Sequence, residues 1–356
     1  MTSIERLQAK MNVGDGAIIC DEYNRRYFTG FESSNGVLAV TKTNAVFFTD
    51  FRYIEAAKNT IKSAEVRILE ASHSAACISV FEKEEIKKVY FEAEASYSYC
   101  TAMQKAMPAY EFVPGDDIFA ALRAQKTPEE IEYIKKSQAI TDKGYAYILE
   151  FVKENYKKGI SEKDVALELE FFLRKNGSGK MPFDIICASG ENTSRPHAVP
   201  SDKIIAEGDF VTLDFGSSYN GYASDMTRTF AVGHVSEEQR KIYELVLEAQ
   251  LSAMKQIKAG VRGCDIDAIA RNLFAEHGVA EAFGHSLGHS LGLYIHESPN
   301  FSPRYTGEIP ENAVLSDEPG LYFEGKFGVR IEDIVHIKKD GCESLTHSPK
   351  NLIIVQ

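Results

Sequence analysis

Two aspartates lie at a spacing that could bind a cation. Apolar and polar residues alternate along 211–216, which is the pattern of a β-strand with Asp214 on its polar face. A hairpin turn is expected at 219–221, where Tyr-Asn-Gly separates two strand-like segments. If the turn is centred between the first two of these residues, or one residue later, Asp214 and Asp225 share a face of the sheet. Neighbouring carboxylates repel unless one is protonated or a cation lies between them. The pair therefore indicates either a metal site or two solvent-facing aspartates.

Three of the nine histidines lie within twelve residues, at His285, His289 and His296. Glycines between them let the backbone turn tightly, as a segment that wraps a site would. Imidazole serves as a metal ligand, a proton carrier or a partner of an oxyanion. The alternative is a loop whose histidines are satisfied by local hydrogen bonds.

Two further carboxylates follow in the last 40 residues. Glu318 directly precedes a Pro-Gly pair, where a strand ends and the chain turns. Glu332 and Arg330 are two residues apart and would share one face of a strand, so an internal ion pair is the alternative to a role in a site. Asp317, next to Glu318, stands where an apolar strand residue is expected, and it would either affect metal binding or point outward.

The five candidate ligands together define a dinuclear metal site. Four carboxylates in one cleft carry about four negative charges, which could not be desolvated without compensation. Two divalent cations would balance them. Oxygen-rich ligation with one imidazole suits Mn²⁺, Co²⁺, Fe²⁺ or Zn²⁺, and residue type does not choose among these ions. The predicted ligands are Asp214, Asp225, His289, Glu318 and Glu332.

The first 123 residues, which precede this site in the chain, read as alternating strands and helices. Short apolar runs predict the strands, and the segments between them predict helices, a combination typical of an α/β layered domain. The strands are expected at 17–20, 37–40, 45–48 and 88–91, with helices near 51–59 and 97–108.

The remaining residues, 124–356, form the domain that must hold the ligands. Thr127, Pro128 and Glu130 predict a helix start with a capping box. Helices and mostly antiparallel strands segregate after this point, which indicates an α+β domain. Further helices are expected at about 161–176, 236–260 and 265–277, and strands at 209–216, 222–232, 313–323, 327–338 and 345–355.

Composition excludes several classes of protein. The net charge of -12 over 356 residues argues against a general nucleic-acid binder. No stretch approaches 18 consecutive apolar residues, and the first residues lack the apolar core of a signal peptide, so we expect a soluble cytoplasmic protein with no membrane partner. The six cysteines are scattered without a C-x-x-C pair, which argues against a zinc ribbon or a disulfide framework.

The segments that carry the five ligands, in this order, resemble the pita-bread metallopeptidases, which include methionine aminopeptidase, aminopeptidase P and prolidase. The segments 27–31 and 49–53 and the turn at 33–36 resemble the creatinase-type N-terminal domain of the Xaa-Pro peptidases, which methionine aminopeptidases generally lack. The resemblance covers nearly the whole chain. It implies a creatinase-type α/β domain at 1–123 and an α+β pita-bread catalytic domain at 124–356.

The resemblance also implies how the ligands divide between the two ions. Asp225 and Glu332 would bridge both ions, and Asp214 would chelate one of them. His289 and Glu318 would complete the other. Glu318 would in addition accept the proton of the nucleophile.

Other site residues are implied in the same way. His197, in a Pro-His-Ala segment, would assist the tetrahedral intermediate or proton movement, and His285 and His296 would flank the substrate, His296 also as a catalytic residue. Arg330 would organise the bridging glutamate and nearby catalytic groups, and Tyr322 would line the site.

The implied reaction is hydrolysis of the bond between any residue and a following proline, with Mn²⁺ expected first and Co²⁺, Zn²⁺ or Fe²⁺ as alternatives. We expect an Xaa-Pro dipeptidase, because the chain is short like the compact prokaryotic prolidases. Arg304 could bind the C-terminal carboxylate of a dipeptide, although a solvated loop arginine is the alternative. An aminopeptidase P that acts on longer peptides is the main competing hypothesis. Intact ligands argue against a metal-free creatinase and against a non-catalytic binding module, and a homodimer is implied by resemblance only.

Overall fold

The computed structural model describes residues 1–356. The chain divides into two compact units, Met1–Arg123 and Ala124–Gln356. None of its helices combines the length and the apolarity that crossing a membrane requires.

The first unit is an α/β domain built on one six-stranded sheet. Its strands are β1 (Asp15–Ile19), β2 (Val37–Thr41), β3 (Ala45–Thr49), β4 (Glu65–Ile68), β5 (Lys88–Phe91) and β6 (Glu111–Pro114). Its helices are α1 (Ser3–Lys10), α2 (Glu22–Thr29), α3 (Ile54–Thr60), α4 (His73–Phe81), α5 (Tyr97–Ala106) and α6 (Asp116–Ala124). The strand order is β4-β3-β2-β1-β5-β6, with β2 antiparallel to both neighbours and the other pairs parallel. Every residue of β1, β2 and β3 is buried, which explains why apolar runs predicted these strands.

The second unit is an α+β domain, as the segregation of its elements predicts. Its helices are α7 (Pro128–Asn155), α8 (Glu162–Lys175), α9 (Glu237–Met254) and α10 (Gly263–Glu276). Its first strands are β7 (Ile186–Ser189), β8 (Phe210–Phe215), β9 (Ser218–Tyr219), β10 (Tyr222–Ala223) and β11 (Met226–Val232). The later strands are β12 (Gly288–Ser290), β13 (Glu297–Phe301), β14 (Val314–Asp317), β15 (Gly320–Phe323), β16 (Phe327–Arg330), β17 (Asp333–Lys338), β18 (Gly341–Ser344) and β19 (Ile354–Val355).

Two helix pairs cover the main sheets of this unit. The sheet β19-β11-β8-β7 shares an apolar core with α7 and α8, and the sheet β13-β12-β14-β17-β18 shares another with α9 and α10. Helix α7 begins at the predicted capping box, in which the Thr127 hydroxyl accepts from the Glu130 N–H. Helix α9 ends at Met254, earlier than the expected end near residue 260.

The strand expected at 345–355 is wrong except for its last two residues, which pair with β11. Side chains from other elements donate hydrogen bonds to the backbone carbonyls of this segment. The Arg228 guanidinium donates to the carbonyls of Ser348 and Pro349, and the Tyr243 hydroxyl donates to that of Lys350. Because Pro349 has no N–H, the segment cannot form a continuous ladder.

Two of the longer expected strands each break in the middle. The segment 313–323 divides at Glu318 into β14 and β15, and 327–338 divides at 331–332 into β16 and β17. The halves join different sheets: β14 pairs with β17, whereas β15 pairs with β16. Both breaks fall at predicted metal ligands, so Glu318 and Glu332 project from the points where the chain leaves one sheet for another.

Candidate metal centre

The β8–β11 hairpin sets the relative position of the two aspartates. Asp214 lies opposite Thr227 in the register, so the turn is centred between Asn220 and Gly221, the second of the two predicted placements. Both turn residues have positive φ angles, 49° and 80°, which a tight hairpin turn requires and which Asn and Gly tolerate. Asp225 stands two residues before Thr227 and therefore shares its face with Asp214, as predicted.

His289 reaches the aspartates from a different sheet. It lies on β12, where the register with β13 shifts directly after it. Its Nδ1 is 3.2 Å from the carbonyl oxygen of Ser290, which favours the tautomer that donates there and leaves the lone pair of Nε2 free to accept a metal ion. Nε2 lies 3.5 Å from Oδ2 of Asp225 and 3.3 Å from Oε1 of Glu318.

The two glutamates at the strand breaks complete the cluster. The Glu318 N–H donates to the carbonyl of Leu287 at 2.8 Å. The Glu332 N–H donates to the carbonyl of Thr227 at 3.1 Å, and its Oε2 accepts from the hydroxyl of the same threonine at 2.7 Å. One ligand atom from each of Asp225, His289 and Glu332 lies within 4.8 Å of the others.

The electrostatics of the cluster fit bound cations. Burial raises the pKa of Asp225, Glu318 and Glu332, and the charges of neighbouring carboxylates raise the first and the last further. Oδ1 of Asp214 is buried without a hydrogen-bond partner, although Oδ2 accepts from Arg330 at 2.6 Å. An unpaired buried oxygen, crowded carboxylates and one imidazole nitrogen form a donor set that suits first-row divalent metals.

Arg330 connects the cluster to its surroundings. Its Nη2 pairs with Asp214, and its Nε donates to the Thr227 hydroxyl at 2.9 Å, so the threonine links the guanidinium to Glu332. The alternative of a direct Arg330–Glu332 pair is therefore wrong as the main interaction. The strand ends at Arg330, and the guanidinium turns toward Asp214 on β8. Nη1 donates to the Tyr322 hydroxyl at 2.7 Å, and burial raises the pKa of that tyrosine to about 12.

The cluster opens into a cavity of about 650 Å³. His197, His285 and His296 line it, and His296 stacks edge-on against His289 with 4.4 Å between ring centroids. Burial lowers the pKa of His285 and His296 and so favours their neutral forms. Tyr322 stands behind the lining, where its hydroxyl is 2.9 Å from Nε2 of His285.

Besides Tyr322, which was predicted to line the cavity but lies behind its lining, three residues differ from the predicted site. Arg304 is exposed in the loop after β13 and is not among the residues that line the cavity. Thr227 and Asn300 belong to the site, but the sequence reasoning missed both. Asn300 lies opposite His289, lines the cavity and has a buried Oδ1 without a partner. Strand alternation from Asp225 could have found Thr227, whereas only the register reveals Asn300.

Asp317 does not point outward. It is fully buried opposite Asp333, and neither of its carboxylate oxygens has a hydrogen-bond partner. Burial and the charge of Asp333 raise its pKa well above the usual range. Arg228 and Lys350 pair with Asp333 at 2.8 and 2.7 Å, which leaves Asp317 without an ion pair of its own.

The fold and the cluster define a metallopeptidase, and the chain belongs to metallopeptidase family M24. The model of that family matches residues 132–339, and the Creatinase/Prolidase N-terminal domain matches residues 4–125. The predicted fold class, with a creatinase-type domain and a pita-bread catalytic domain, is confirmed.

Particular relatives span almost the whole chain. An uncharacterized peptidase of Bacillus subtilis is 41% identical over 96% of each chain, and an Xaa-Pro dipeptidase of Pyrococcus horikoshii is 36% identical over 95% of this chain and 94% of its own. Among solved structures, an Xaa-Pro dipeptidase from Bacillus anthracis superposes with a TM-score of 0.93, 41% identity and 99% coverage of both chains. An X-Pro aminopeptidase from Thermotoga maritima gives a TM-score of 0.89 at 35% identity, covering 98% of this chain and 99% of that one.

Proposed function

We propose that this metallopeptidase is an Xaa-Pro dipeptidase that hydrolyses the bond before proline. The observation that carries the proposal is the convergence of five metal-binding side chains and three further histidines on one cavity. Similarity to the dipeptidases of Pyrococcus horikoshii and Bacillus anthracis supports the substrate class.

We propose that Asp214, Asp225, His289, Glu318 and Glu332 hold two divalent ions. Mn²⁺ is the first candidate, with Co²⁺, Zn²⁺ and Fe²⁺ as alternatives. When bound, such ions activate a water molecule and polarise the scissile carbonyl.

The side chains of the cavity would orient the substrate and move protons. The carboxyl group of Glu318, whose pKa burial raises, would hold the proton taken from the nucleophile. A proline amide has no N–H, so its nitrogen must gain a proton as it leaves. His197 and His296 face the cavity and would supply that proton or stabilise the tetrahedral intermediate, while His285 would contact the substrate. Arg330 would hold the Asp214 carboxylate and the Tyr322 hydroxyl in place through its hydrogen bonds.

One observation favours a second candidate, an aminopeptidase that acts on longer peptides. Apart from its histidines, the cavity is lined by one basic residue, Arg330, which is already engaged by Asp214. Since Arg304 lies outside the lining, no second arginine is in place there to bind the carboxylate of a dipeptide. The solved aminopeptidase from Thermotoga maritima shows that a similar fold carries that name as well.

Comparison of two substrates with each metal separates these functions. We would incubate the protein with Mn²⁺, Co²⁺, Zn²⁺ or Fe²⁺ and offer Ala-Pro, Met-Pro or a longer Xaa-Pro-Xaa peptide. Release of free proline from the dipeptides, with the longer peptide intact, supports the dipeptidase. Release of the N-terminal residue from the longer peptide supports the aminopeptidase, and no cleavage with any metal would overturn both.

We further propose a homodimer in the cytoplasm, with domains at 1–123 and 124–356. The two compact units support this division of the chain. All six cysteines are free, which suits a reducing compartment. The dimer rests on resemblance to the family, and light scattering of the purified protein at micromolar concentration tests it. Cell fractionation tests the location.

A further inference from the structure

The loop 189–201 is tied at both ends to the carboxylate of a single glutamate. Glu162 is the first residue of α8, and its side chain is fully buried. Oε1 accepts from the N–H of Ser189 at 2.6 Å, from its hydroxyl at 2.8 Å and from Nδ2 of Asn192 at 2.9 Å. Oε2 accepts from the N–H of Ser201 at 3.0 Å and from its hydroxyl at 2.6 Å.

Five donor groups fully occupy the Glu162 carboxylate, since its two oxygens offer about four lone-pair sites. Burial alone would raise the pKa of Glu162, but the hydrogen bonds from Ser201, Asn192 and Ser189 outweigh burial and lower it. The group is therefore an anion that the loop encloses. Lys203 reinforces the arrangement, because it donates to the Ser189 hydroxyl at 2.9 Å and pairs with Asp209 at 2.6 Å.

The segment between these ties forms one wall of the catalytic cavity. All five residues of 196–200 line the cavity, and His197 is the titratable residue among them. His285 and His296 line the same cavity, so this segment brings a third imidazole, that of His197, to it.

A second contact holds the loop against the strand that carries Arg330. The Gly328 N–H donates to the Thr193 hydroxyl at 2.8 Å. A Cβ at Gly328 would stand 2.2 Å from the Thr193 carbonyl oxygen, so the loop lies as close to β16 as a glycine allows. The position of His197 therefore depends on two attachments, and Glu162 provides the one that closes the loop.

We propose that Glu162 is a positioning residue that acts on the reaction through His197, by holding the loop 189–201 in the shape that places this imidazole in the cavity. The expected effect on the reaction rests on the proposed function. The effect of Glu162 on the shape of the loop 189–201 does not.

A double-mutant cycle tests the inference. Glu162→Gln keeps the size of the side chain but replaces one acceptor oxygen by an NH₂ group, which faces the donors of the loop. We therefore expect kcat to fall roughly 10- to 100-fold, the scale of effect when a catalytic group is misplaced by about 1 Å. Metal affinity, measured by titration calorimetry, should stay within about twofold, because Glu162 contacts no ligand. In the His197→Ala background, Glu162→Gln should cause no further loss of kcat. An equal loss in both backgrounds would overturn the proposal.

Three more variants supply a matched control, a substitution that retains the charge, and a replacement in case Glu162→Gln does not fold. Glu168→Gln makes the same change elsewhere on α8 and should leave kcat unchanged, while Glu162→Asp retains the charge and should recover part of the rate. If Glu162→Gln does not fold, Ser201→Ala removes one donor to Oε2 and should cause a smaller loss that again vanishes without His197. Persistence of the Ser201→Ala loss in His197→Ala would contradict the inference.

A measurement without substrate separates this inference from the proposed function. Amide hydrogen exchange of residues 189–201 should accelerate in Glu162→Gln and stay unchanged in Glu168→Gln. Unchanged exchange in Glu162→Gln would overturn the positioning role. Accelerated loop exchange in Glu162→Gln, together with a wild-type protein that cleaves no Xaa-Pro peptide, would instead overturn the Xaa-Pro peptidase function alone.

Discussion

Replacing Thr227 with valine should weaken metal binding, although Thr227 is not itself a predicted ligand. The side chain is fully buried, and valine fills almost the same volume without the hydroxyl. The change removes the hydrogen bond to Oε2 of Glu332 at 2.7 Å and the one from Nε of Arg330 at 2.9 Å. Each of these bonds involves a charged group, and such bonds contribute about 1.5–3 kcal/mol.

The expected loss of metal affinity is smaller than the sum of the two bonds. Arg330 is not a predicted ligand, so the main effect on metal binding is the lost orientation of Glu332. One bond of this kind corresponds to roughly 10- to 100-fold in metal affinity, the usual effect of removing a group that orients a ligand. The loss of both bonds should also lower the free energy of unfolding of the metal-free protein by about 3–6 kcal/mol.

Titration calorimetry with Mn²⁺ and urea unfolding of the metal-free protein measure the two effects. Thr41→Val is the matched control, because Thr41 is also fully buried but lies in the first unit, where its hydroxyl bonds to the backbone of Asn44. The control should lose stability and keep its metal affinity. If Thr227→Val binds metal as tightly as the wild type, the reasoning about Glu332 is refuted.

Three other predictions concern the ligands, acid stability and the loop contact. Asp225→Asn or His289→Ala should abolish Xaa-Pro cleavage. After chelation, added metal should restore the activity of the wild type but of neither variant. Recovery of activity in a variant would show that its substituted residue is not a required ligand. Burial lowers the pKa of His336 to about 4, whereas the pKa of histidine in the unfolded chain is about 6.5. Between about pH 6.5 and pH 4, therefore, this histidine is protonated mainly in the unfolded state. Stability should thus fall by about 1–3 kcal/mol as the pH drops from 7 to 4, and His336→Gln should reduce this slope in urea titrations; an unchanged slope would rule out His336 as its source. Gly328→Ala should cost about 1–3 kcal/mol through the clash with Thr193 and should lower activity, whereas wild-type stability would show that the loop moves away freely.

Local patterns predicted those elements whose hydrogen bonds lie within the element or with a near neighbour. The capping box at Thr127 and the apolar runs of β1 to β3 depend on short-range features, and both are confirmed. The segment 345–355 has the composition of a strand, but Arg228, more than 100 residues earlier, binds its carbonyls. A pattern of side chains cannot show that a distant guanidinium replaces a neighbouring strand.

In the site, too, the sequence predicted the positions that a local turn fixes and missed those that depend on distant contacts. Residue types and the hairpin placed Asp214 and Asp225 on one face, because a local turn fixes their register. The link between Arg330 and Asp214 depends on the break of a strand that reads as continuous in the sequence. Asn300 enters the cavity through the pairing of β12 with β13, which no local signal specifies.

The strand breaks at Glu318 and Glu332 have a consequence for how the second unit unfolds. Asp214 lies on β8 of the four-stranded sheet and Asp225 directly precedes β11, whereas His289 lies on β12 of the five-stranded sheet. An ion bound by all of them would add a link between the two sheets at the point where their carboxylates repel one another. Free metal at 100 times its dissociation constant adds about 2.7 kcal/mol to the stability of a single-site protein. The metal-free protein should therefore be less stable by about this amount, so that metal supply in the cell would govern how long the folded chain survives proteolysis.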